Sequence, residues 1–294
     1  MPSFNEIIVI YNPISTGGSK ANAEQFAEQL AKQMPGQKIK VMRSEYGGHA
    51  EKIAADYTAK KGTWLIVSSS GDGGYNEVIN GILNGQTNGA VVASVLPSGN
   101  ANDHHTAMGS GNLFGNIEKV KIQRIDIIKA ESTVGGKPWT RYAHSYGGFG
   151  ITPDTVRELN TKELNQFNEK WYVLTHLLKF KYVQLKTGEN IYRYTSIVFA
   201  TIGQMSKVIN LADDASPTDG KMEVYETKYQ SPWQLLRLLF KASFIGMTES
   251  KRVTTYKLRT VAPTLIQLDG EVERLDSEAD ITIRCIKRGL RTIL

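Results

Sequence analysis

Residues Ser68–Gly81 read SSSGDGGYNEVING. Serines and glycines crowd around Asp72, and the chain then runs straight into Val78, Ile79, Ile82 and Leu83, which have helical spacing. Just upstream, Trp64–Val67 reads as a short buried strand. A strand, a glycine-rich turn and a helix in that order form one unit of a parallel sheet covered by helices. Glycine lets a backbone approach an anion and aim amides at it. A helix beginning near Tyr75 adds a partial positive charge at its start. The stretch therefore fits a phosphate cradle, although any one such turn serves equally as a tight connection.

The surrounding sequence repeats the unit. Glu6–Tyr11 (EIIVIY) reads as a buried strand ending at Asn-Pro, and Lys38–Met42 and Val91–Leu96 read as further strands. Ala21–Met34, His49–Lys60 and Glu77–Asn84 carry apolar residues at helical spacing. Asn12–Ser19 (NPISTGGS) and Leu96–Asp103 (LPSGNAND) join Ser68–Asn76 as glycine-, asparagine- and serine-rich loops, each following a strand. In a parallel sheet all three gather at the carboxyl edge, where ligands bind. No G-x-x-x-x-G-K-S/T motif is present, and no well-placed G-x-G-x-x-G is followed by an acidic residue, so the cradle is of another kind.

After about Ile117 the pattern changes. Ile125–Ala130, Tyr142–Ser145, Ile191–Ile202, Met222–Thr227, Val253–Val261, Leu265–Leu268 and Ile281–Ile286 read as strands, with helices at Leu159–Phe180 and Pro232–Ser243. The expected fold class is an α/β N-terminal domain with a parallel Rossmann-like sheet, then a mainly antiparallel β-sandwich. The expected division is 1–122 and 123–286, with about 287–294 returning to the first domain.

Composition sets broad limits. The chain has 294 residues, 40% hydrophobic and 22% charged, which suits globular domains with a sizeable core. Cys285 is the only cysteine, which excludes an internal disulfide and a multi-thiolate zinc site and fits a reducing cytosol. The start MPSFNEIIVIYNP lacks the basic and long apolar regions of a signal peptide, and no run reaches the ~20 apolar residues of a spanning helix. The net charge of +6 and pI near 9.1 suit anionic partners. Basic residues do not alternate with aromatics as a stacking platform, so no nucleic-acid partner is expected.

SGDGGYNEVINGI resembles the [GS]-G-D-G-[TL]-x-[NH]-E-V-x-N-G pattern of the diacylglycerol kinase catalytic-domain family, which includes sphingosine kinases and bacterial lipid kinases. Asn12-Pro13 with Gly17-Gly18 resembles its first nucleotide loop, Ser44 with Gly48-His49-Ala50 its T-x-x-x-G-H-A segment, and LPSGNAND its L-P-x-G-x-x-N-D loop. Ser145–Gly150 (SYGGFG), Ala212–Val224 (ADDASPTDGKMEV) and Leu268–Glu271 (LDGE) extend the resemblance collinearly through the second half.

The resemblance implies an ATP- and Mg²⁺-dependent lipid kinase acting on a lipid hydroxyl, diacylglycerol by default. Asn12, Pro13, Gly17, Gly18, Ser44, Ser70, Gly71, Asp72, Gly73, Gly74, Asn76 and Glu77 match its nucleotide-loop positions, as do Ser98, Gly99, Asn100, Asn102 and Asp103. Ser216, Asp219 and the Lys221 carbonyl match a Mg²⁺ site of bacterial members, and Glu271 matches the general base. The chemistry agrees: phosphoryl transfer needs charge positioning, an aspartate between glycines sits beside phosphates only with a cation, and a carboxylate can take the hydroxyl proton. Asp72 and Glu271 are thus the expected catalytic residues. Plainer readings stand beside these, Glu271 as a solvated strand residue and Asp269-Gly270 as a hairpin turn. The fullness of the apolar face at Pro232–Ser243 fits core packing, or membrane contact helped by Arg237, Lys241, Lys251 and Arg252.

The sequence departs from the family at Gly74, where Thr is usual, at Asn100 for Thr or Ser, at Asp213 for Pro, and at His104-His105 for Phe-Ala. NAD kinase, which shares the fold, and a catalytically weak nucleotide- or lipid-binding protein are the alternatives. The expected setting is cytoplasmic and peripheral at the inner membrane surface, with nucleotide and lipid as partners and a homodimer left open.

Overall fold

The apolar run EIIVIY forms β1 (Glu6–Tyr11), whose four central residues are buried. α1 (Ser19–Gln33), β2 (Ile39–Arg43), α2 (His49–Thr58), β3 (Gly62–Ser70), α3 (Asp72–Asn84) and β4 (Gly89–Pro97) follow in strict alternation. The computed structural model describes residues 4–100, 102–109, 111–150, 182–205, 209–210, 215–229 and 250–294. The parallel strands lie in the order β2-β1-β3-β4. One helical layer packs Phe26 and Leu30 of α1 on Val9, Leu65 and Val92. The other packs Ile53 and Tyr57 of α2 and Val78 of α3 on Ile8, Ile10 and Ile66.

Helix α3 begins at Asp72, five residues earlier than the apolar spacing predicts. Gly71 stands at its N-cap in an extended conformation, so Asp72, Gly73 and Gly74 already form its first turn. Glycine is a weak helix former, but the apolar face of the later turns carries the helix. Two short helices, α4 (Asp103–Met108) and α5 (Leu113–Glu118), were not legible in the periodicity because each has fewer than two turns.

Strands dominate the rest: β5 (Gln123–Val134), β6 (Lys137–Ala143), β7 (Tyr146–Gly150), β8 (Val183–Thr187), β9 (Asn190–Ala200), β10 (Gln204–Met205), β11 (Ile209–Asn210), β12 (Met222–Lys228), β13 (Lys251–Val253), β14 (Thr255–Thr260), β15 (Thr264–Leu268), β16 (Glu271–Leu275) and β17 (Asp280–Thr292). The pairs β5–β6, β7–β9, β8–β9, β9–β12, β15–β7 and β15–β16 are antiparallel. The strand expected at Tyr142–Ser145 is instead a junction: β6 stops at Ala143 and β7 starts at Tyr146. The run Val253–Val261 breaks at Thr254 into β13 and β14, and Ile281–Ile286 continues as β17 to Thr292. The expected helices Leu159–Phe180 and Pro232–Ser243 lie outside the described residues, as does Asp213.

The chain divides into two compact units, Met1–Asp126 with Arg288–Leu294, and Ile127–Lys287. In the first, the chain's last residues complete the parallel sheet. Thr292 is in register with Ala93 of β4, the Ile293 amide donates to the Ala93 carbonyl at 3.0 Å, and Ser94 Oγ donates to the Ile293 carbonyl at 2.7 Å. The buried Asp126 accepts from the Arg288 amide at 2.7 Å. The second unit has its own core, in which Phe149, Phe199, Ile197, Val224, Ile266 and Ile283 come together. Beside it, burial pushes the Tyr256 hydroxyl well above the usual phenol range, and the Glu226 carboxylate that it donates to adds to the rise.

Ile293 is wholly buried in the first unit's core. Ile293→Ala should lower that unit's unfolding free energy by about 2–5 kcal/mol, read from urea denaturation.

Candidate active site

The loops after β1, β3 and β4 meet at the carboxyl edge of the parallel sheet and are held there by short contacts. The Gly17 amide donates to the Ser98 carbonyl at 3.0 Å, and Asn22 Nδ2 donates to Ser98 Oγ at 2.9 Å. A Cβ on Gly17 would stand 2.6 Å from the Ser98 carbonyl oxygen, so only glycine fits there. Ser69 Oγ reaches the Ser19 carbonyl at 2.8 Å and Ser98 Oγ at 3.0 Å. The backbones of Gly71 and Gly99 cross so closely that a Cβ on Gly71 would lie 3.1 Å from Gly99 Cα. Asn102, with φ of +52°, closes the third loop by exchanging hydrogen bonds with Gly99 at 2.9 and 3.0 Å.

Helix α3 carries two of the expected site residues, and both turn to other helices. Asp72 accepts from the amides of Asp103 and His104 at 3.1 and 3.2 Å, capping the start of α4. Glu77 accepts from the amides of Gly48 and Ala50 at 2.9 and 3.2 Å, capping the start of α2. The first amides of a helix lack intrahelical partners, and here two helices receive carboxylates from a third. At α3 itself the N-cap is Gly71, and at α1 it is Gly18 with φ of +72°; neither residue has a side chain to cap its own helix. The positive dipole ends of α1 and α3 lie at this same edge and suit an added anion.

Asn12 folds its loop, its Oδ1 accepting from the Ile14 amide at 3.1 Å and its carbonyl from Ser19 Oγ. Pro13 and Gly18 are exposed. Ser44 is buried, and its amide donates to the Tyr11 carbonyl at 2.9 Å. Asn76 of α3 is buried, and its Oδ1 accepts from Asn80 Nδ2 one turn on at 2.9 Å. Asp103 is buried, Asn100 is exposed and His104 packs beside Tyr75 with ring centroids 5.3 Å apart.

The departure at Gly74 has a structural reason. A Cβ there would stand 2.6 Å from Ser70 Oγ and 2.7 Å from Ser70 Cβ. Ser70 Oγ also bonds Ser68 Oγ at 2.7 Å and the Gly71 carbonyl at 3.0 Å. The Ser70 side chain therefore fills the space that a residue at 74 would use.

In the second unit, Asp269-Gly270 forms the two-residue turn between β15 and β16, with φ of +47° and +95°. Asp269 is also a buried anchor. Its carboxylate accepts from the amides of His144, Ser145 and Tyr146 at 2.6, 3.1 and 3.0 Å, and His144 Nε2 lies 3.3 Å away. Glu271 leaves this turn as the first residue of β16 and is exposed. Sequence reasoning missed Asp269 and His144, because a D-G turn carries no sign that its carboxylate points inward.

Asp219 accepts from the Lys221 amide at 2.8 Å and pairs with Arg252, which also binds the buried Glu223 at 2.9 Å. Ser216 Oγ lies 3.2 Å from Thr218 Oγ1. The hydroxyl, carboxylate and carbonyl are hard oxygen donors of the type Mg²⁺ prefers. Yet both Asp219 oxygens already face protein donors, and the carboxylate is neutralised by Arg252. No group of three or more His, Cys, Asp or Glu is arranged to hold a metal among the described residues. As they stand, the Asp219 oxygens are engaged by the Lys221 amide and by Arg252.

Comparison with known proteins identifies the class. Residues 6–131 match the family model described as diacylglycerol kinase catalytic domain. The chain is 33% identical to a diacylglycerol kinase of Bacillus subtilis (strain 168) over 296 residues, covering 90% of this chain and 88% of the relative. A crystal structure of a diacylglycerol kinase from Bacillus anthracis str. Sterne superposes with a TM-score of 0.71 at 15% identity, over 100% of this chain and 98% of that one. Yeast NADH kinase is a more distant structural neighbour, with a TM-score of 0.50 at 10% identity over 99% of this chain and 83% of that one. The chain belongs to the diacylglycerol kinase catalytic-domain family, and with it to the lipid kinases. Among the described residues no helix is long and apolar enough to cross a membrane.

Gly74→Thr alone should destabilise the protein by about 1–3 kcal/mol through overpacking. Adding Ser70→Gly should recover most of that loss, and a double-mutant cycle by urea denaturation reads the coupling. Asp269→Asn should cost about 1–3 kcal/mol for each backbone amide left without an acceptor, measured the same way.

Proposed function

We propose that this lipid kinase transfers the γ-phosphoryl group of MgATP to the hydroxyl of diacylglycerol. The observation that carries the nucleotide half is the pair of helix starts, α1 and α3, whose N-cap residues are glycines at the loop edge while Asp72 and Glu77 cap their neighbours. The amides of the first turn of α3, Asp72 to Gly74, and the loop at Gly17-Gly18 bind the phosphate oxygens. Asp72 and Glu77 act by positioning: one fixes the Gly99–Asp103 loop, the other the Gly48–Ala50 segment. Ser98 and Asn102 hold the third loop in shape from within it.

Mg²⁺ arrives with the nucleotide as part of the substrate, because kinase Mg²⁺ ions take most of their ligands from phosphates and water. Glu271 accepts the proton of the attacking hydroxyl as general base. Its place directly after a turn anchored by Asp269 suits a carboxylate that must stay exposed yet fixed. Support for diacylglycerol as acceptor is the 33% identical relative of that name. The enzyme meets this lipid from the cytoplasm, as a peripheral protein at the membrane surface.

The test is phosphate transfer from labelled ATP to a panel of hydroxyl lipids in mixed micelles. Diacylglycerol should take the label, and Glu271→Gln should lower the rate by about 10²–10⁴-fold with little change in ATP affinity. Label on another lipid would correct the acceptor, and full activity of Glu271→Gln would remove its role. Mg²⁺ alone should leave the melting temperature unchanged. MgATP at a hundred times its Kd should stabilise the protein by about 2.7 kcal/mol.

A further inference from the structure

We propose that Tyr46 is the platform on which the nucleobase of the bound nucleotide stacks. The inference rests on the nucleotide-binding reading above and assigns a residue at an unspecified position of the Ser44–Ala50 segment, where the motif names no side chain. Tyr46 lies in the loop after β2, at the same carboxyl edge as the glycine-rich loops. It is 57% exposed, unusual for a large aromatic side chain, and its ring stacks on His49 with centroids 4.7 Å apart and planes 10° from parallel. With one ring face covered by His49, that exposure leaves the opposite face open.

The pair is built rather than incidental. His49 Nδ1 accepts from the Glu45 amide at 3.1 Å, which fixes the imidazole, and the His49 amide donates to the Tyr46 carbonyl at 3.1 Å, which closes the turn. Gly47 and Gly48 form that turn, and a Cβ on either would meet nothing within 4 Å, so the turn itself stands clear of its neighbours. The loop is tied to the end of β1 and to the second turn of α3. Ser44 bonds the end of β1, whose loop leads to α1, and Glu77 of α3 holds Gly48 and Ala50.

Position fits the ligand. β2 stands two strands from β3 in the sheet, roughly 10 Å by normal strand spacing. The ribose and first phosphate of a nucleoside triphosphate bridge that separation between a stacked base and the phosphate-binding start of α3. A flat π-face accepts any base, so Tyr46 contributes affinity for the nucleoside part and little choice between bases.

The experiment measures binding of ATP and of inorganic tripolyphosphate, each with Mg²⁺, to the full chain by calorimetry. Tyr46→Ala should weaken ATP by about 5- to 150-fold, the range found for losing a base-stacking ring. It should leave tripolyphosphate within twofold, and Tyr46→Phe should bind ATP as the parent does. Unchanged ATP binding in Tyr46→Ala would overturn the proposal. So would an equal loss of ATP and tripolyphosphate, which marks a distorted loop, or a loss confined to diacylglycerol vesicles, which marks a membrane contact. If the parent protein bound neither ligand, the nucleotide reading itself would fail and this inference with it.

Discussion

Two carboxylates on one helix organise the edge of the first unit. From the first turn of α3, Asp72 reaches the start of α4, and from its second turn Glu77 reaches the start of α2. Each satisfies two backbone amides that would otherwise need water or a ligand. The arrangement makes the loops after β2 and β4 extensions of α3. At α1 and α3 the N-cap residues are glycines, so positive helix ends gather where the glycine-rich loops come closest. Loss of either carboxylate would strand amides in a half-buried place and release a loop at the same time.

The second unit repeats the device with a different element. Asp269 sits in a hairpin turn with its carboxylate buried among three amides at the β6–β7 junction. Thr201 Oγ1 donates to the carbonyls of His144 and Ser145 at 3.1 and 3.2 Å, so the same junction is also held from β9's far end. A turn anchored in this way presents Glu271 from a fixed base. In both units an acidic residue that reads as chemistry, or as a simple turn, holds a backbone in place.

Much of the fold was legible because burial writes itself into periodicity. β1 is the EIIVIY run, residue for residue, and the parallel half declared itself by strands and helices alternating with loops of glycine and asparagine. The antiparallel half followed from alternating strands joined by turns such as Asp269-Gly270. Short elements were not legible: α4 and α5 are too brief for a helical period to register. The early start of α3 was hidden because Gly73 and Gly74 discourage a helix locally, and packing of Val78 and Ile79 overrides that preference. Gly74 itself looked like a lost hydroxyl, and only the position of Ser70 explains it.

The sequence by itself determined the alternation of long strands and helices in the first unit, the placement of the glycine-rich loops after strands, and the residues that resemble a lipid kinase. These are local properties, set by side-chain pattern and by backbone freedom within a few residues. The tertiary structure decided which partners the charged groups take. Asp72 and Glu77 face amides about 30 residues away in the chain, Asp219 faces Arg252, and Asp269 meets residues more than 120 positions earlier. A carboxylate's role depends on what lies within about 3 Å of it, and spacing along the chain does not encode that distance.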